Sequence, residues 1–203
     1  MPEVIVPDHS EPIIRTLDFY EPMGINRSDW TGVRKSIGRP GAGFWRGQIA
    51  VADIATELEE RQWRAFTARL RGTQNWFKVY LPCQSHIGPA PTVAAGATNG
   101  YSLPLTGMSP STLILYAGQH ITVPLPSGHS RAVRLTDHLV TDSSGNATAS
   151  FSPALNEVPA LAATVETARP FVAVTASQPD NPFEQEDGVS RFQMDIEESI
   201  GAY

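Results

Sequence analysis

The spacing of apolar residues changes twice in the first half of the chain. Trp45, Ile49 and Val51 recur on one parity, the signature of a strand with one buried face. From residue 56 the period becomes helical, with Leu58, Trp63, Phe66 and Leu70 falling roughly on one face. Thr56 and Glu59 make an S/T-x-x-E capping box, and Gly72 supplies a C-terminal stop. Glu57, Glu59 and Glu60 crowd the first turn while Arg69 and Arg71 close the last, a distribution that complements the helix macrodipole. Directly after it, residues 75–82 (NWFKVYLP) are aromatic and β-branched, which predicts a strand.

Outside this block the pattern is of short strands. Residues 1–29 are turn-rich with one strand expected over 13–19. Residues 30–43 are glycine-rich and basic and read as an irregular loop. Residues 83–100 carry almost no charge and read as a connection. Beyond them short strands are expected over 101–105, 112–116, 120–123, 131–135, 147–151, 163–166 and 171–174, with a turn at 141–147 where Asp, Ser, Gly and Asn tolerate the needed backbone angles. Such closely spaced strands suggest a small barrel or sandwich. Residues 177–188 form an acidic, proline-bearing boundary. Phe192, Met194 and Ile196 alternate in a final strand over 189–200, which has no local hairpin partner and so needs a distant one. The expected class is mainly β with one helix.

Composition narrows the functional classes. The 16 glycines and 17 prolines are spread along all 203 residues, favouring turns and short strands. A net charge of −6 argues against nucleic-acid binding through the whole surface. No apolar window approaches a membrane span, and the first residues do not read as a secretory signal. The single cysteine, Cys83, excludes an internal disulfide and suits a reducing cytosol.

Candidate chemistry is thin. Gly41, Gly43 and Gly47 superficially resemble a phosphate-binding loop, but their spacing is G-x-G-x-x-x-G, a strand follows them, and no Gly-Lys pair exists. His120, His129 and His138 lie nine residues apart, without the close pair that announces a zinc site, so strand-end or surface positions are expected. Ser127 near His129, and Asp137 beside His138, lack a nucleophile elbow. Asp137, Asp142 and Glu157 could converge as an acid pair, yet nothing selects them over other solvated acids. Trp45, Trp63, Trp76 and Phe77 are weighed as a sugar platform against ordinary burial, with burial favoured. No catalytic, metal or cofactor-binding residue is assigned.

The order of elements carries more than any motif. A glycine-rich loop leads into FWRGQIAVADIATELEERQWRAFTARLRGTQNWFKVYLP, a strand-rich segment follows, and SRFQMDIEESI closes the sequence. This order resembles the distal tail protein of long-tailed, non-contractile bacteriophages. The resemblance implies a tail-tube-like β domain formed by residues 1–82 with 177–203. It also implies an inserted barrel of the oligonucleotide/oligosaccharide-binding (OB) type over residues 83–176. It further implies a structural, non-enzymatic virion protein, made in the host cytoplasm and placed at the tail tip or baseplate. There it would form a homohexameric ring between the tail tube protein and the tail-tip hub protein, near the tape measure protein, with DNA passing through the lumen and no cofactor. An acidic protein suits a pore that must not hold the DNA it conducts. Arg34, Lys35 and Arg39, on the basic segment, are the expected contacts to an adjoining ring. A carbohydrate-binding adhesion module and an enzyme remain the alternatives, separable by a glycan array and by turnover.

Overall fold

The computed structural model describes residues 2–7, 12–38, 42–54, 56–82, 86, 88–178, 183–186 and 189–200. The first third of the chain lays down strands β1 (Ile13–Tyr20), β2 (Met23–Arg27), β3 (Arg34–Gly38) and β4 (Phe44–Ile54). The helix α1 (Glu57–Leu70) and strand β5 (Phe77–Tyr80) follow. Both halves of the predicted capping box form: the Thr56 hydroxyl accepts from the Glu59 N–H, and the Glu59 carboxylate accepts from the Thr56 N–H. At the other end Arg71 itself turns left-handed (φ 50°), and the Asn75 side-chain amide donates to the freed Arg69 carbonyl at 2.7 Å.

The middle of the chain gives β6 (Thr92–Val93), β7 (Ser102–Thr106), β8 (Leu113–Leu115), β9 (His120–Pro124), β10 (Ser130–Leu135), β11 (Leu139–Val140) and β12 (Ala147–Ser152). The last third gives β13 (Phe171–Ala176), β14 (Phe183–Glu186) and β15 (Val189–Glu198). Two main antiparallel sheets result. One has the order β1-β4-β15-β13-β5 with β14 hydrogen-bonded to β15, and the other has the order β6-β7-β12-β10-β9. Two small pairs, β8–β11 and β2–β3, stand apart from them.

Each main sheet has its own core. In the first, alternation places Trp45, Ile49 and Val51 of β4 and Phe192, Met194 and Ile196 of β15 on one face; α1 packs on it at Phe192, and Trp45 meets Ala132 and His120 of the second unit. Trp63 packs on Phe192 with ring centroids 4.6 Å apart, and Phe66 meets Trp63 and Phe77 edge-on at 5.3 and 5.2 Å. The second core gathers Val93, Leu103, Leu105, Leu115, Ile121, Val133 and Phe151, among others. At Gly47 the bulged β1 backbone lies so near that an added Cβ would sit 2.1 Å from the Thr16 carbonyl oxygen; only glycine fits.

The mainly β class with one helix is therefore observed, and several local expectations change. The 30–43 loop is for the most part a hairpin: residues 28–33 turn between β2 and β3, with Gly32 at φ +67°, and Arg39 lies outside the described residues. Glycine at a turn reads equally as a loop or as a hairpin tip, and the flanking five-residue strands hold too few apolar positions to mark a period. Leu58 does not join the core but is 64% exposed, because the buried face of α1 is set by Trp63, Phe66 and Leu70. The strand at 171–174, expected inside the second unit, lies in the first sheet between β15 and β5. The second core thus draws on residues 93–165 and stops short of 176. The final strand has its distant partners β4 and β13, and also a local one, β14. Residues 163–166 make only isolated bridges, Thr164 to Thr92 of β6 and Glu166 to Thr122 of β9. Among the described residues no run of paired strands closes the second sheet into a barrel.

Candidate functional site

Where the two cores meet, the chain buries charge. Glu198, at the end of β15, has no exposed side-chain surface, yet it accepts three hydrogen bonds. They come from Arg131 Nη1 at 3.0 Å, the Trp45 backbone N–H at 3.0 Å and His129 Nε2 at 3.1 Å. Arg131, on β10, is equally buried; its Nη2 donates to the Gly43 carbonyl at 2.8 Å, and its guanidinium lies 5.5 Å from the Phe19 ring centroid. Nearby the Trp45 indole N–H donates to the Ala132 carbonyl at 2.8 Å. Apart from the Trp45 N–H to Glu198 bond, which lies within the first sheet, these bonds join residues 43–45 or 198 to residues 129–132, so the cluster ties the first sheet to the second. A buried pair of this kind holds only where its other hydrogen-bonding positions are largely matched; both carboxylate oxygens accept bonds here, while Arg131 Nε is buried without a hydrogen-bond partner among the described residues.

His120 sits at the same joint. Its Nε2 accepts from Arg134 Nε at 3.2 Å, and its ring meets Trp45 edge-on at 5.9 Å. Burial, with the Arg134 charge adding to it, lowers its pKa from 6.5 to about 4. It is a neutral acceptor at ordinary pH. His138 is different: it is exposed, its Nδ1 accepts from the Ala117 N–H at 3.0 Å, and it rests edge-on against Tyr116. The three histidines therefore serve three separate local purposes, and the expectation of surface or strand-end positions is corrected for His129, which is buried. Among the described residues no three His, Cys, Asp or Glu side chains converge in a way that could hold a metal. Cys83 is outside the described residues.

The acids weighed as a catalytic pair are each engaged in local structure. Asp142 accepts from the backbone N–H groups of Asn146 and Ser144, which hold its carboxyl below the usual carboxylate range. Glu157 accepts from the Ser127 N–H at 3.1 Å, and Asp137 lies beside the Thr136 hydroxyl. His129 points to Glu198. Trp45, Trp63 and Phe77 are in the core, and only Trp76 of that group keeps partial exposure.

The exposed chemistry lies at the β2–β3 hairpin and on the outer face of the first sheet. Arg34 and Lys35 are both exposed on β3, and Trp30 at the hairpin tip is 99% exposed. On the sheet face turned away from α1, Asp18, Arg46, Gln48, Asp195 and Glu197 line a hollow of about 460 Å³. Arg46 stacks over the Tyr20 ring at 4.3 Å, and Gln48 donates to Asp195 at 2.9 Å. Sequence reasoning found the two basic residues but missed Trp30 as their companion, and it missed the Arg131–Glu198 pair. The pair brings together residues 67 apart whose types are commonest on surfaces.

No protein-family model matches the chain, and no curated protein matches it either. No helix among the described residues is long and apolar enough to cross a membrane.

Proposed function

We propose that the chain is a structural subunit of a closed, sixfold ring at the tail tip of a long-tailed bacteriophage. The ring joins the tail tube to the tail-tip hub near the tape measure protein, and DNA passes through its lumen. The observation that carries this reading is the interrupted architecture. A sheet backed by a single helix is begun by residues 13–80 and completed by residues 171–198, while residues 93–165 build a separate core between them. That order is the one on which the resemblance rests. Two further features support a contact-making, non-catalytic part. The β2–β3 hairpin exposes Arg34 and Lys35, with Arg39 following in sequence, and these basic residues make the contact beyond the subunit. The buried ion cluster fixes the second unit on the first rather than opening a cleft between them.

Negative-stain imaging of the purified chain, alone and with the tail tube and hub proteins, tests the proposal. Annuli of one size with sixfold symmetry are expected. A chain that stays monomeric at high concentration and is absent from purified virions refutes it.

A further inference from the structure

We propose that the tip of the β2–β3 hairpin docks on a second copy of this chain. Trp30 enters the hollow between β1, β4 and β15, and Arg27, Arg34 and Lys35 face its acids Asp18, Asp195 and Glu197. The inference rests on the ring reading in taking the neighbour to be an identical subunit, and it adds the anchor and the seat.

Three observations on the hairpin point to a partner. First, the indole of Trp30 is 99% exposed and Val33 is 64% exposed, an apolar tip in water that the subunit's own fold does not use. Second, among the described residues β2 and β3 pair only with each other, and a lone two-stranded hairpin is marginal in water. Third, Arg27 stands directly across from Arg34, with Lys35 on the next rung, and like charges opposite one another weaken a strand pair. Among the described residues no salt bridge includes any of these three cations. All three features disfavour the hairpin alone and favour it once an acidic, partly apolar surface covers it.

The chain itself provides that surface. With Arg27, Asp29, Arg34 and Lys35, residues 23–38 carry a charge of +2 in a chain of −6, so the remainder carries −8. The 460 Å³ hollow holds three carboxylates against the single cation Arg46, and Phe44 adds an apolar wall. Trp30 does not occupy the hollow of its own subunit, since it is 99% exposed there. A tip from one copy set into a hollow on the next is a head-to-tail contact, the kind that generates a ring when the rotation closes.

The test measures self-association of the purified full chain by analytical ultracentrifugation at low and high salt. Trp30→Ala is expected to weaken association at least about thirty-fold, as loss of a buried aromatic anchor does. Arg34→Glu with Lys35→Glu weakens it at low salt, and adding Asp18→Lys with Glu197→Lys in the same chain restores it. Melting temperatures stay within a few degrees of the parent, since Asp18, Trp30, Arg34 and Lys35 are exposed and Glu197 is half-buried at the rim of the hollow. The tryptophan emission of the parent shifts to shorter wavelength on assembly, and that of Trp30→Phe shifts less. Association that survives both hairpin variants leaves the ring reading standing and overturns the docking. Loss without rescue by the charge swap overturns the hollow as the seat. Hairpin dependence that appears only when the tail tube or hub protein is added overturns the second copy as partner. A parent chain that never self-associates overturns the ring reading and this inference together.

Discussion

Replacing Arg131 by Met should be among the most damaging single changes in the protein that keep side-chain volume roughly constant. The substitution removes the 3.0 Å bond to Glu198 and the 2.8 Å bond to the Gly43 carbonyl, and leaves a carboxylate with no exposed surface facing only His129 and the Trp45 N–H. Breaking a buried pair from one side costs about 3–5 kcal/mol, because the surviving charge is neither solvated nor matched. Glu198→Gln should cost a similar amount, this time stranding the guanidinium. The double variant is the informative one. With both charges gone the stranding penalty disappears, so its loss should fall well short of the sum of the two singles, by about 2 kcal/mol or more. Scanning calorimetry and urea unfolding read these differences; in a chain of this size the single variants should melt about 6–20 °C lower. Because the cluster joins two cores, each single variant should also separate one unfolding transition into two. Single losses under about 1 kcal/mol, or strict additivity in the double variant, would refute the claim that this pair holds the units together.

Three further outcomes follow from local geometry. His120 has its pKa lowered in the fold, so the stability it contributes as a neutral group is complete above the unfolded value of 6.5. That stability declines as pH falls from there toward about 4. After discount for partial solvent access the loss is about 1–2 kcal/mol, and His120→Gln should flatten that part of the urea-midpoint-versus-pH curve. Thr56→Ala removes one half of the capping box and should cost about 1 kcal/mol, with little change in the near-ultraviolet spectrum of the core. Gly47→Ala drives a methyl into the Thr16 carbonyl and should cost about 1–3 kcal/mol or displace β1, seen as faster amide exchange along β1.

The helix was legible in all but the place of Leu58, because its signals are local: a capping box, a charge gradient and the core residues Trp63, Phe66 and Leu70 within one 14-residue stretch. Alternation likewise located β4 and β15, whose apolar parities are Trp45–Ile49–Val51 and Phe192–Met194–Ile196. What alternation does not encode is which strand lies beside which. β13 has five consecutive buried residues, Val172–Ala176, and such a run fits the middle of either sheet. Its assignment to the first sheet comes from pairing with β5 and β15, a fact of topology rather than of composition. β2 and β3 escaped for the opposite reason: two five-residue strands with only Met23, Ile25 and Ile37 as large apolar residues carry too short an apolar period to detect. The Arg131–Glu198 pair left no trace either, since a buried charge and a solvated charge are written with the same letter.

The placement of β4 has a consequence for how the chain is made. This strand, the longest in the protein at 11 residues, takes β1 on one edge from the preceding segment and β15 on the other, and β15 begins only at residue 189. At ordinary synthesis rates of about 5–20 residues per second, the ribosome needs roughly seven to thirty seconds to travel from one to the other. Through that interval α1 can coil and residues 93–165 can assemble their own core, but β4 keeps an open edge of unpaired backbone N–H and C=O groups. The last strand to emerge is thus the keystone of the first sheet. Where many identical chains are made close together, an open β4 can take β15 from a neighbour as readily as its own. The intervening unit, by folding first and drawing the ends of β5 and β13 together across the Tyr80–Phe171 rung, shortens the path that the chain's own β15 must find.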